Sequence, residues 1–356
     1  MQDWSSVRAL FPALERWTFL NTATFGQLST RSIDAVSHHF QHRNETACSD
    51  FLSWFTDHDR LREKLARLIH ASAGDIAFLP NASTGLGILM HGLPWKDGDQ
   101  VLTLEHEFPN NLYAPLHRDI ILREVPHHRL LDSITDRTRL LAISAVNYTT
   151  GYRAPLEQIS DECRRRGVLL YVDATQMLGA LQFDFSRIQP DVLTVNCYKW
   201  MLAPNGIAFM AVHPRLRPQL PPLTIGWRSH HDWRNVSQLW HGKPELKESA
   251  EKYEGGMLPS SLLYALEASV DLMLELTPEA IERRVLSLAA LTRKLFPNAL
   301  PYDDSAIVAA PVEDAPALSA RLKQRRILTS ARHGLLRVST HFYNDESDIA
   351  ALAAAL

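Results

Sequence analysis

A lysine and an aspartate are the side chains of this sequence whose setting most directly implies chemistry. Lys199 lies in Asp191-Val-Leu-Thr-Val-Asn-Cys-Tyr-Lys-Trp200, just past an apolar β-type run, and an earlier run, Gly167-Val-Leu-Leu-Tyr-Val172, ends in Asp173. In open α/β sheets, ligands sit outside the carboxyl ends of the strands. An amine and a carboxylate at two such ends suit pyridoxal phosphate, which needs an amine for its Schiff base and an acid partner for its pyridine nitrogen. Taken alone, Asp173 reads as the cap of a following helix, and a lone lysine as a surface residue.

Other segments add to the pair. Asn81-Ala-Ser-Thr-Gly-Leu-Gly87 follows a strand and opens a helix. Amides at a helix N-terminus form an anion site, and the hydroxyls of Ser83 and Thr84 add donors; without the other motifs this is a capping loop. There is no lysine-bearing P-loop and no GxGxxG at the first strand, which argues against a nucleotide. Arg337, in Leu335-Leu-Arg-Val-Ser-Thr-His-Phe-Tyr-Asn344, could take a carboxylate through two parallel hydrogen bonds, or lie exposed on an edge strand. His38, His39 and His42 could place two imidazoles on one helix face at i and i+4, but with no carboxylate at a recognisable spacing no metal site is expected.

The elements that must position these residues follow from pattern. β-type runs at Asp75–Leu79, Gln100–Leu104, Leu140–Val146, Val168–Val172, Val192–Val195 and Ile207–Val212 alternate with helix-compatible stretches. That alternation predicts an α/β fold, a mainly parallel sheet between helices. Residues 214–255 read as loop-rich, and Leu262–Leu276 as a long helix. The rest reads helix (279–295), strand (305–312), helix (315–325), strand (335–342) and helix (347–356), a small α+β domain with antiparallel pairing. Asn344 and Asp345 offer caps for the last helix.

With 356 residues, 46% hydrophobic and 22% charged, the chain reads as an ordinary globular protein of two domains. A net charge of −3 without long single-sign runs gives no sign of nucleic acid or anionic membrane as partner. No apolar stretch approaches the roughly 20 residues of a membrane span, and no export signal is read at the N-terminus. Cys48, Cys163 and Cys197 are widely spaced, which fits a reducing cytoplasm.

At these motifs the chain resembles the class V aminotransferase superfamily, the fold-type I group that includes cysteine desulfurases, kynureninase and isopenicillin N epimerase-like enzymes. The resemblance runs from about Asn21 to Leu356. It implies a large cofactor-binding domain (21–255) with a seven-stranded sheet, a small C-terminal domain (256–356), and an N-terminal arm (1–20) packed on the latter. It implies pyridoxal 5′-phosphate as cofactor and Lys199 as its Schiff-base lysine. Asp173 then meets the ring nitrogen and Gln176 the phenolic oxygen. Ser83, Thr84, Tyr198 and Asn196 hold the phosphate, with Asn196 and Cys197 standing where the family often has serine and glycine. Phe108, in Glu105-His-Glu-Phe-Pro-Asn-Asn-Leu-Tyr113, stacks on the ring, with His106 the runner-up. Arg337 binds the substrate α-carboxylate, and Asn147 touches that carboxylate or the ring oxygen.

The resemblance also implies a homodimer with its active site at the subunit interface. The segment that would reach a partner's phosphate is Tyr253-Glu-Gly-Gly-Met-Leu-Pro-Ser-Ser261, where Met257 replaces the usual threonine and Ser260 or Ser261 is the substitute donor. The implied function is a pyridoxal-phosphate enzyme acting on an α-amino acid, of class-V aminotransferase type. The alternatives are a β-eliminating C–S lyase, an amino-acid epimerase, and a binding protein that keeps the fold without turnover. Ile327-Leu-Thr-Ser-Ala-Arg-His-Gly-Leu-Leu-Arg337 lacks the cysteine that desulfurases carry before their arginine, so a standard cysteine desulfurase is not expected. Tyr148, Arg332 and His333 are left as side chains that could reach the substrate.

Overall fold

The computed structural model describes residues 2–118 and 120–356. Its strands, in chain order, are β1 (Thr18–Phe19), β2 (Ile76–Leu79), β3 (Gln100–Leu104), β4 (Ile121–Val125), β5 (Thr138–Ser144) and β6 (Leu169–Asp173). They continue with β7 (Val192–Asn196), β8 (Ala208–Val212), β9 (Ile307–Pro311), β10 (Ile327–Leu328), β11 (Ser330–Arg332) and β12 (Leu335–Ser339). Seven of them form one sheet in the order β2-β8-β7-β6-β5-β3-β4. β8 runs opposite to the other six.

The strand sequences are apolar on both faces, and both faces are covered by helices. Leu141 and Ile143 point into the larger core, Leu140 and Ala142 into a second one on the opposite face. Tyr171 faces the second core between Leu170 and Val172, which face the first. That alternation buries whole runs and fits a sheet buried on both sides. β4 was missing from the strands expected from pattern. Its sequence, Ile-Leu-Arg-Glu-Val, is mostly exposed at the sheet edge, where charged side chains block further pairing.

The second sheet is three-stranded and antiparallel, in the order β11-β12-β9, with a core of its own. The N-terminal segment packs here: β1 pairs in parallel with β10, Asn21 bridges to Ser339, and Arg8 bonds Asp348 at 2.7 Å. The last helix, Glu346–Ala353, is capped by Asp345 alone. Asn344 instead turns inward, its amide donating to Phe19 O at 3.0 Å and Asp348 Oδ2 at 2.8 Å. Among the described residues, no helix is long and apolar enough to cross a membrane.

Candidate active site

β6 and β7 lie side by side and end in Asp173 and Asn196, so Asp173 and Lys199 come to one edge of the sheet. Both are buried. Burial pushes the Asp173 carboxyl up. It pulls the Lys199 amine down to about 8, opposed by attraction to Asp173 and helped by repulsion from Arg337 and Arg332. Asp173 Oδ1 accepts from the Thr175 N–H at 2.9 Å. Among the described residues, neither Asp173 nor Lys199 lies in a salt bridge. The buried acid and the buried amine feel each other's charge yet form no bridge.

Aromatic rings flank the amine. Lys199 Nζ lies 5.4 Å from the Phe108 ring centre and 5.7 Å from that of Tyr198. Phe108 precedes the helix Pro109–His117 and is pinned by Glu107, whose role the sequence did not reveal. The buried Glu107 carboxylate accepts from Phe108 N at 3.0 Å, Asn111 Nδ2 at 3.0 Å, and Ser144 N and Oγ at 2.8 and 2.6 Å. It ties the ring to the end of β5.

At the other end, Asn81 caps the helix Ala82–Gly92 by accepting from Thr84 N at 3.1 Å. Asn196 Oδ1 accepts from Ala82 N at 3.0 Å, so its oxygen fixes this helix start to β7. Ser83 and Thr84 stand in that first turn, where the helix dipole favours an anion; the Thr84 hydroxyl also donates to Asn81 Oδ1 at 3.1 Å, which leaves Ser83 as the freer donor. Met257 is 51% exposed, while the Ser260 hydroxyl is buried with no partner.

Gln176 is largely engaged by the protein itself. Its Nε2 donates to Ala23 O at 3.0 Å, and its Oε1 accepts from Trp200 Nε1 at 2.8 Å. One amide N–H remains for a ligand. Asn147 is similar: Oδ1 accepts from Thr149 and Thr150 N–H, and Nδ2 donates to His106 O at 3.1 Å. His106 itself takes a left-handed backbone, φ +60°.

Arg337 closes the site from the small sheet. It is 1% exposed. Its Nε donates to Ser330 Oγ at 3.0 Å, one Nη to Tyr148 O, and the other to Thr24 Oγ1 at 2.6 Å. Among the described residues no carboxylate pairs with it. Burial and the nearby Arg332 press its guanidinium below the ordinary value. The Tyr148 ring meets Phe108 edge-on at 5.2 Å, and its hydroxyl lies 3.0 Å from His333 Nε2.

The loop Asn21–Gly26 stitches these parts together. Beyond the contacts of Ala23 and Thr24, Gly26 N donates to Tyr198 O at 2.9 Å, and a Cβ on Gly26 would sit 2.0 Å from Lys199 O. Only glycine lets the two backbones approach this closely. Away from the site, His42 Nε2 bonds Asp50 at 2.7 Å, a partner supplied across the break between two helices. No group of three or more His, Cys, Asp or Glu among the described residues is arranged to hold a metal.

The sequence profile of the aminotransferase class-V family matches residues 18–301. The chain belongs to that family. Isopenicillin N epimerase of Amycolatopsis lactamdurans is 27% identical over 99% of this chain and 98% of its own. An uncharacterized aminotransferase of Bacillus subtilis is 23% identical, over 96% and 94%. Among solved structures, the cystine C–S lyase C-DES in complex with its product cysteine persulfide superposes with a TM-score of 0.88. That pair is 23% identical and covers 97% of this chain and 98% of C-DES, a likeness of fold. The fold is that of fold-type I pyridoxal-phosphate enzymes, and pyridoxal phosphate is the cofactor of this class-V protein. The unbridged acid and amine, the flanking ring and the helix start fit that group.

Proposed function

We propose that this class-V protein transfers the amino group of an α-amino acid, with Lys199 as the catalytic lysine. The observation that carries the reading is the buried, carboxylate-free guanidinium of Arg337 on the same site as the deprotonation-prone Lys199. When bound, pyridoxal phosphate supplies a carbonyl carbon for the amino group and a ring that takes up electrons from a bond broken at Cα. Asp173 would face the pyridine nitrogen and hold its proton. Gln176 would offer its remaining N–H to the phenolic oxygen. Phe108 would cover the ring, and Ser83, Thr84, Asn196 and Tyr198 would bound the phosphate. Arg337 and Asn147 would fix the substrate carboxylate, so that Lys199, near neutral pH a partly free amine, can take the proton from Cα and return it.

The tight turn between β11 and β12 supports a reaction without a protein persulfide, because its two residues are His333 and Gly334. The thiols of Cys163 and Cys197 are buried, which pushes both well up and away from the nucleophilic thiolate. Three free cysteines support a reducing, cytoplasmic setting. The half-exposed Phe25, Ile225 and Met257 support a second subunit covering the site.

The test is the visible spectrum of the purified protein, with and without amino acids. A cofactor–lysine band is expected, absent in Lys199→Ala, with activity down by about 10²–10⁴-fold. Amino-acid-dependent conversion to the pyridoxamine form, reversed by a keto acid, supports transamination. Pyruvate and ammonia formed without a keto acid would replace it by elimination, and inversion at Cα by epimerisation.

A further inference from the structure

Arg332 lies on the same face of the same hairpin as Arg337. The register pairs Ser330 with Arg337 and Arg332 with Leu335, and alternate residues of a strand share a face. The 3.0 Å bond from Arg337 Nε to Ser330 Oγ shows that face in use. The turn that follows Arg332 has both central residues left-handed, His333 at φ +48° and Gly334 at +79°. Such two-residue turns lock the register, so Arg332 is held in place rather than carried on a loose loop.

Arg332 is half-buried, and among the described residues its side chain donates from Nη1 to the neighbouring Ala331 O at 2.8 Å and to no other group. No carboxylate among the described residues pairs with it. Its charge is felt at the site, since it lowers the proton affinity of both Lys199 and Arg337. One guanidinium suffices for one α-carboxylate, bound through two parallel bonds. A second, set beside it without an acid, costs repulsion that a further anion would relieve.

Resting on the amino-acid reading above, we infer that the substrate is a dicarboxylic α-amino acid, its α-carboxylate on Arg337 and its side-chain carboxylate on Arg332. The test is a titration of the pyridoxal-phosphate-loaded protein, followed by the visible spectrum and by equilibrium dialysis. The probes are L-aspartate, L-glutamate and L-2-aminoadipate, each against an uncharged counterpart: L-asparagine, L-glutamine and L-norleucine. At least one acid should bind about 10–100-fold more tightly than its counterpart. Arg332→Gln should bring that ratio close to one, chiefly by weakening the acids, and Arg332→Lys should keep part of the preference.

Equal affinity within every pair, or no acid bound, would overturn the assignment. So would an Arg332→Gln protein, folded by circular dichroism, that loses acidic and neutral ligands alike, since Arg332 would then serve the α-carboxylate. A protein with no visible band after incubation with the cofactor fails at the earlier reading instead, and the spectrum separates the two failures.

Discussion

Two regions of this molecule bury arginine, and they treat the charge in opposite ways. Under the sheet edge at β2, Arg228 and Arg62 are almost fully buried, and both reach Glu254, at 3.0 and 2.8 Å. Glu251 stands 3.1 Å from Arg228 and 2.7 Å from Lys247, and Glu254 also accepts from Phe78 N at 2.9 Å. At the hairpin, Arg337 is as deeply buried but has only hydroxyls and a carbonyl as partners. A charge out of water must be paired or it destabilises the fold. Where the arginine is structural the chain supplies the acid. Where it is not supplied, the function proposed above puts a ligand carboxylate in its place.

The contrast breaks most visibly if the acid is taken from the paired region. Glu254→Gln leaves two buried guanidiniums to share Glu251, already engaged by Lys247, and should cost about 3–5 kcal/mol of stability. A urea midpoint near that of the parent would show that the network is not what holds the loop. Arg337→Met should behave in the reverse sense. Amino-acid affinity should fall by an amount equivalent to about 2–5 kcal/mol, the loss seen when one partner of a buried charge pair is cut. The ligand-free fold, relieved of an uncompensated cation, should not lose thermal stability comparably. If Arg337→Met unfolds as readily as Glu254→Gln while binding amino acids normally, the two regions are alike and the contrast falls.

How much of this was legible beforehand depends on how local each feature is. Lys199, Asp173 and Arg337 each sit at a strand end or within a strand whose apolar pattern is readable over a few residues, and the structure brings all three together. β4 was not legible, because an edge strand is free to carry Arg123 and Glu124 on its surface. The bonds that occupy Gln176 come from Ala23 and Trp200, far apart in the chain and joined only by the fold. The same holds for Glu254, which lies in a stretch that reads merely as loop. Its meaning comes from Arg62 on a distant helix. Pairing at a distance has no signature in sequence, so the hidden part of the site is the set of groups that hold the visible ones in place.

The smallest effect concerns Lys199, which stands between the two regimes: buried, unbridged, but facing Asp173. Its ordinary value of 10.5 falls to about 8 in the folded protein. Between those limits the unfolded chain keeps the proton and the folded chain releases it, so the unfolded state binds more protons and stability rises with pH. Below about 8 the lysine is charged in both states and the full burial cost is present; above 10.5 it is neutral in both and that cost is gone. The cofactor-free protein should therefore gain up to about 1.4 kcal/mol per pH unit across the window from this residue. Lys247 is also pulled down to about 8 and adds a parallel slope, so the informative quantity is the difference between wild type and Lys199→Ala. Urea midpoints at several pH values should converge toward the alkaline end, with the variant ahead in the neutral range. Parallel curves would mean that the Lys199 amine is solvated or paired in the free protein, and the unbridged acid and amine would no longer define the site.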